Sequence, residues 1–423
     1  MSVPCPPGQP GRFAWLDDAR RRQVDDLLAR PMPRGRGRLR HRTRPPHLDS
    51  AMVDGRRHLV FVCYYAYPST IKKSVVLRNT GRYHTTLLAC CVREDLEAEA
   101  WFDAVYEVEH YAELLELLAH ARPASVTACI QPALLGAVVL EAVPPGTRVV
   151  VDITDSNYYM RQDPQHPDSL LERAVLARAQ AWVHKMPPAA VAALRQAWAL
   201  PAPVAVPDVL AHSLPMRPLF QDVPPPPAPP HAPWRLVYAG GIMPWRAALR
   251  DGHEHMLMDP IVEATAAAGI ALTFYANQNA REMFWEEQDR YFELEARCPL
   301  FSLRRGVPFH RLPAEISDNH FGLLYDQKSL SSWRHEGYVH NMSTKIFSYF
   351  EAGLPLLVYE EMEYICQMVR EHGLGVVYSL DRLEEIPALL AAAEYPALRE
   401  NVRRYREAHA LETLLPTLEA LYG

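Results

Sequence analysis

The sequence predicts an α/β protein made of two doubly wound halves, each a mainly parallel sheet with helices on both faces. Strand-length apolar runs alternate with helical segments along most of the 423 residues. The runs are apolar throughout, as in strands buried on both faces, and parallel pairing of such strands needs a helical crossover each time. One proline-rich stretch then interrupts the alternation, and the same alternation restarts beyond it. With 49% hydrophobic and 22% charged residues the composition is that of an ordinary globular protein, and the length suits two or three domains.

Residues 1–50 read as a basic extension. A short helix is expected between Arg12 and Arg30, followed by the low-complexity run Arg34–Arg44, expected to be a solvated, disordered arm. From His58 the strands begin: His58–Tyr64, Thr85–Val92, Asp103–Val108, Ser125–Ile130, Thr147–Asp152 and Ala181–His184, with helices through Leu114–Leu118 and from Leu170. Residues 51–216 are therefore the first Rossmann-like half. The segment 217–234 holds the proline cluster, which cannot enter a sheet and is expected to act as a semi-rigid spacer. Residues 235–423 form the second half, with strands Arg235–Ala239, Ile270–Tyr275, Phe321–Tyr325, Pro355–Tyr359 and Gly375–Tyr378. Two such halves place ligands in a cleft outside the carboxyl ends of their strands.

Charge and cysteine usage narrow the partners. The net charge is −6, but residues 1–50 carry 11 Arg and 5 Asp, a net +6, so the remainder carries −12. An acidic body argues against nucleic acid as a partner. The basic tail leaves room for peripheral contact with the inner face of a membrane. Seven cysteines without metal-ligand spacing read as buried thiols of a reducing cytoplasm. No stretch has about 20 predominantly apolar residues, so no spanning helix is expected.

The most informative stretch is Asn341–Pro355. Ser343 or Thr344 can cap a helix over Thr344–Ala352, Gly353 can end it in the left-handed region, and Pro355 starts a buried strand. Lys345 falls in the first turn, where a cation is disfavoured unless an anion docks against it. Val237-Tyr-Ala-Gly-Gly-Ile242 reads as a strand ending in a glycine loop whose backbone can approach phosphates closely.

Ser343–Pro355 resembles the P-x-K-hydrophobic-x-E-Y-hydrophobic-A-x-G-x-P signature of GT-B glycosyltransferases, especially those similar to family 4 and the family 1-like group. Val237–Ile242, Gly306–His310 with Leu312-Pro313, and Glu371–Gly375 follow in the order that family shows. The resemblance covers most of residues 235–423, whereas the first half matches mainly in topology. It implies two Rossmann-like domains facing each other across a cleft. It also implies transfer of a sugar from a nucleotide-diphosphate sugar, UDP-sugar favoured, to an unidentified acceptor: small molecule, glycan or lipid-linked. The donor would lie on residues 235–423 and the acceptor on 51–216. Beyond the nucleotide sugar itself no cofactor or metal is expected, since no acidic pair is placed to hold one.

On this reading Lys345 stabilises the departing diphosphate, with the backbone of Gly240 and Gly241 beside it and Arg246 as a second cation. Where the family's pattern has a ribose-binding Glu, this chain has Ser348. Glu351, one turn on, either replaces that carboxylate or faces solvent. Val149–Asp155 resembles the family's D-x-H-D strand end, with Thr154 at the histidine position. Asp155 would be a general base in an inverting enzyme; in a retaining one the leaving phosphate takes the proton and Asp155 orients groups. His310 is a candidate for base or phosphate contact; His184 is expected to be structural. Tyr64–Lys73 reads as a loop at the reaction centre, its tyrosines able to stack on a sugar, and Asp326–His340 as a segment that could close over the donor. Two other readings stay open: a catalytically inactive nucleotide-sugar-binding scaffold, consistent with Ser348 and Thr154, and a nucleotide-sugar epimerase of the same shape.

Overall fold

The computed structural model describes residues 12–28, 47–92, 97–130, 132–161, 163, 165–200, 209–210, 214–224, 226–227, 229, 231–251, 257–276, 285, 287–326, 339–340 and 342–422. The chain divides into two units, Met1–Ser213 with Leu414–Gly423, and Leu214–Thr413.

Unit one contains strands β1 (Met52–Val53), β2 (Arg56–Tyr65), β3 (Tyr83–Cys91), β4 (Ala104–Glu107), β5 (Ser125–Cys129), β6 (Arg148–Ile153), β7 (Ala181–His184) and β8 (Val209–Leu210). The order is β4-β3-β2-β5-β6-β7-β8, parallel throughout, with β1 antiparallel on β2. The Leu59–Cys63 and Val149–Ile153 runs are buried along their whole length, as continuous β-branched and aliphatic sequence requires of a sheet covered on both faces.

Unit two contains β9 (Arg235–Gly240), β10 (Ala271–Ala276), β11 (Phe301–Arg305), β12 (Phe321–Leu323), β13 (Leu356–Tyr359) and β14 (Gly375–Tyr378). All neighbours are parallel, in the order β11-β10-β9-β12-β13-β14. Both sheets wind outward in two directions from a central pair, β2/β5 and β9/β12, the topological switch point outside which ligands of such sheets bind. Gly240 and Gly241 stand where β9 reaches that point. β11 has no expected counterpart: it is an edge strand in which half-buried Ser302 separates buried Phe301 and Leu303 before two exposed arginines, too polar a run to stand out in sequence.

Three boundaries differ from expectation. The extension is not wholly an appendage, because Phe13, Leu16, Val24 and Leu28 join the core of unit one and Arg178 lies 5.2 Å over the Trp15 ring; the helix there is Asp18–Leu28. The run Arg34–Arg44 lies outside the described residues. The described part of 217–234 is bound to unit two and does not stand off as a spacer. Arg399 Nη2 donates to Val223 O at 2.7 Å, Arg406 Nη1 donates to Gln221 O at 2.9 Å, and Arg406 Nη2 pairs with Asp222. Finally, residues 414–423 belong to unit one, where Tyr422 is fully buried with its ring 6.0 Å from that of Phe61.

Candidate active site

In unit two the site grows from a tyrosine. The helix Lys345–Glu351 follows β12, and Tyr349, on its buried face, points its hydroxyl between the two central strands. Tyr349 Oη accepts from Ala239 N–H at 2.9 Å and donates to Leu323 O at 3.0 Å. β9 and β12 pair only through Phe321–Leu236 and Gly322–Val237. The tyrosine therefore bridges the strands where their own ladder stops, holding the switch point open without orphaning its backbone groups. Its ring needs the space beside Gly322, where any Cβ would collide with it.

This anchoring sets Lys345 over the end of β9. A Cβ built on Gly240 would stand 3.3 Å from Lys345 Nζ and closer to the carbons of its stem. The ammonium lies 5.2 Å from the Tyr238 ring centroid, a cation–π contact. Tyr238 is buried and donates to Gly241 O at 3.0 Å, so the same residue steadies the lysine and the glycine loop; burial pushes its phenol above the ordinary tyrosine range. The structure thus brings Lys345, Gly240 and Gly241 together. Thr344 precedes the helix in a helical conformation and makes no side-chain cap. Gly353 does end the helix with φ +75°, and Leu354 N–H reaches back to Tyr349 O at 2.8 Å.

Ser348 is half-buried on the same helix. Glu351 does not face solvent: it is fully buried, and its Oε1 accepts from Met216 N–H at 2.8 Å. Its backbone carbonyl accepts from Gln221 N–H at 2.8 Å and Arg406 Nη1 at 3.1 Å, so it ties the helix end to the incoming chain. Arg246 is exposed and lines a depression of about 410 Å³ with Trp245, Glu287, Asp289, Arg290 and Glu293. The three carboxylates there offset the charge it would offer an anion. His310 is half-buried in the turn after β11, its ring 5.7 Å from that of Phe309. Lys328 to His335 of the Asp326–His340 segment lie outside the described residues.

In unit one, Asp155 follows β6 and is not alone. Lys185, directly after β7, places its ammonium 2.6 Å from Asp155 Oδ1, with side-chain exposures of 8% and 24%. Sequence reasoning passed over Lys185, whose only signal was its place beside His184 at a strand end. Asp152, on β6 itself, forms a buried ion pair with Lys73. Thr154 is buried, 3.4 Å from the Cys129 thiol. His184 is buried, and burial lowers its pKa to about 4. The expected Tyr64–Lys73 loop ends early, because Pro68 opens a helix to Arg78 and buries Ser69, Thr70, Lys72 and Lys73. Tyr64 and Tyr65 pack edge-on at 4.6 Å, and Tyr65 and Tyr67 at 6.2 Å.

Residues 287–411 match a family model described as glucosyltransferase 3-like, C-terminal domain. Among solved structures, a glycosyltransferase from Rickettsia africae superposes with TM-score 0.58 at 10% identity, covering 86% of this chain and 97% of that one. HepE from Anabaena, in complex with UDP and glucose, gives TM-score 0.58 at 11% identity, over 86% of this chain and 98% of its own. The fold is GT-B. A UDP-N-acetylglucosamine 2-epimerase also superposes, with TM-score 0.50 at 13% identity over 85% of this chain and 95% of its own. The GT-B fold alone therefore does not separate transfer from epimerisation. The match over 287–411 favours transfer. A search of the curated proteins returned no match. Among the described residues no helix is long and apolar enough to cross a membrane, and no three His, Cys, Asp or Glu side chains are grouped to hold a metal ion.

Proposed function

We propose that the protein is a glycosyltransferase that takes a sugar from a nucleotide-diphosphate sugar, UDP-sugar favoured, and passes it to an acceptor held by unit one. The observation that carries this reading is Lys345 lying over the side-chain-free Gly240 at the switch point. An ammonium and an open stretch of backbone are offered together where a diphosphate would lie. Support comes from the glucosyltransferase 3-like match over 287–411 and from the UDP held by HepE on the same fold.

The difficult part of such a transfer is departure of the nucleoside diphosphate while positive charge builds on the sugar. Lys345 stabilises the oxygens that become negative, and a cation fixed beforehand costs no reorganisation when the bond breaks. On the retaining reading the departing phosphate accepts the acceptor's proton, and Asp155, held by Lys185, orients the acceptor hydroxyl. Gly240 and Gly241 bring backbone to the phosphates, and His310 and Ser348 supply polar contacts on the donor side. Arg246 is the weakest of the proposed donor contacts, because of its carboxylate neighbours.

Thermal unfolding with UDP, GDP, ADP, dTDP and CMP, on wild type and Lys345→Ala, tests this. A ligand at 100 times its dissociation constant adds about 2.7 kcal/mol, a rise of several degrees for domains of this size. UDP is expected to raise the wild-type midpoint and leave the variant unmoved. Equal shifts in both proteins, or none in either, overturn the donor site. A shift by UDP without release of UDP from any UDP-sugar supports the inactive binding protein instead.

A further inference from the structure

Glu172 lies in the helix Pro167–Arg178 and is fully buried. Its carboxylate forms no ion pair among the described residues, yet both oxygens are engaged. Oε1 accepts from the Ser156 hydroxyl at 2.6 Å; Oε2 accepts from the Asn157 backbone N–H at 2.8 Å and from Asn157 Nδ2 at 2.6 Å. All three donors come from the two residues directly after Asp155. An apolar side chain would fill this space without the desolvation that a buried carboxylate costs, so the carboxylate serves the turn it holds. An ionised carboxylate accepts all three donors at once; a protonated one keeps its contact with Ser156 only if that hydroxyl, which already accepts from Tyr158 N–H at 3.3 Å, reverses and accepts from the carboxyl as well.

We propose that Glu172 is a positioning residue: its carboxylate fixes the Ser156–Asn157 turn and thereby holds Asp155 against Lys185 at the carboxyl ends of β6 and β7. The proposal rests on the reading that unit one takes the acceptor beside Asp155. It adds that the acceptor side is organised only while Glu172 is ionised.

The setting makes that ionisation sensitive to pH. Burial pushes the Glu172 carboxyl up to about 7; the Ser156 and Asn157 hydrogen bonds act against this, and the nearby charge of Asp155 adds to it. Charged groups on the neighbouring elements, Arg22, Asp25 and Asp26 of the helix Asp18–Leu28 aside, are bound to other residues. Arg161, after the uncharged helix Asn157–Met160, bonds Asp168 at 3.1 Å. Glu141, the one charge of the helix Ala133–Ala142, accepts from the Trp15 indole at 2.9 Å. Arg20 and Arg21, at the start of the helix Asp18–Leu28, pair with Asp17 and Asp18.

Acylation of lysines by an N-hydroxysuccinimide ester, read by mass spectrometry, tests the proposal without any substrate. Lys185 is shielded while Asp155 holds it, and Lys345 in the other unit serves as internal reference. The ionised fraction of a group with pKa about 7 falls roughly tenfold from pH 8 to pH 6. The Lys185-to-Lys345 labelling ratio of wild type is expected to rise with the same midpoint. Glu172→Gln is expected to give a high ratio that does not change with pH. Ser156→Ala, which removes one donor while leaving the carboxylate, is expected to move the midpoint upward; it keeps the proposal testable if the glutamine variant does not fold. A flat wild-type ratio, or the same profile in wild type and the variants, overturns it. If the labelling behaves as expected and no UDP-sugar is turned over, the turn device stands and the glycosyltransferase reading fails.

Discussion

Gly240 is a site where one added methyl should separate binding from folding. Its backbone is not in the left-handed region, and the atoms a Cβ would meet belong to the far end of the Lys345 side chain. Gly240→Ala is therefore expected to push the ammonium aside with little loss of stability. Isothermal titration should show UDP affinity falling with the wild-type melting point nearly kept; a drop of several degrees without ligand would mean that the strand itself moved. Tyr349 is the opposite case. Tyr349→Phe removes the group that satisfies both Ala239 N–H and Leu323 O, and leaving buried backbone groups unmatched costs about 1–3 kcal/mol. Urea unfolding should show that loss, and UDP binding should weaken with it, because Lys345 is set by the same helix.

At the scale of elements, the clamp between the incoming chain and the helix Lys345–Glu351 gathers on one side chain. Arg406 is 1% exposed, donates to the carbonyls of Gln221 and Glu351 and lies 4.6 Å over the Phe220 ring. Arg406→Met should keep the apolar contact and cost about 2–4 kcal/mol in urea unfolding, since it strands buried acceptors. An unchanged midpoint would show the clamp to be dispensable. The strands and the lysine helix were legible in sequence because continuous apolar runs and the Gly353-Leu-Pro355 ending are local signals. The parts that were not legible are those made by distant partners. Glu351 read as solvent-facing or ribose-binding because nothing in its own turn announces Met216, 135 residues away along the chain. Lys185 and Glu172 drew no notice because each is defined by contact with the turn after β6. The prolines of 217–234 read as a spacer between the halves, whereas the division falls at Ser213 and Leu214, and composition carries no trace of the arginines that bind the segment to unit two.

Across the whole molecule buried histidines make one large contribution to the pH dependence of stability. His320 accepts from Arg235 N–H at Nδ1, at 3.0 Å, with Nε2 3.2 Å from Pro227 O, an arrangement of the neutral ring. Burial lowers the pKa of His320 to about 4, and that of His184 likewise; His58 and His84 are also lowered, chiefly by burial. The unfolded chain takes up these protons first, so their contribution is intact above pH 6.5 and lost as pH falls towards 4, up to roughly 3 kcal/mol each for His184 and His320. Glu172 acts with the opposite sign, its raised pKa favouring the folded state as pH falls from 7 towards 4.5. Melting curves between pH 7 and pH 4 should fall on balance, and His320→Asn, which keeps an acceptor for Arg235 N–H, should flatten part of the acid limb of unit two. An unchanged limb would move the effect to other groups.

The return of residues 414–423 to unit one also fixes an order of events during synthesis. Leu214–Thr413 is one uninterrupted length of chain, so a ribosome delivers everything unit two needs before it has delivered the last piece of unit one. The half begun first is thus finished last. Until Tyr422 arrives, Phe61 packs against the Phe102 ring, 5.8 Å away, without its second aromatic neighbour.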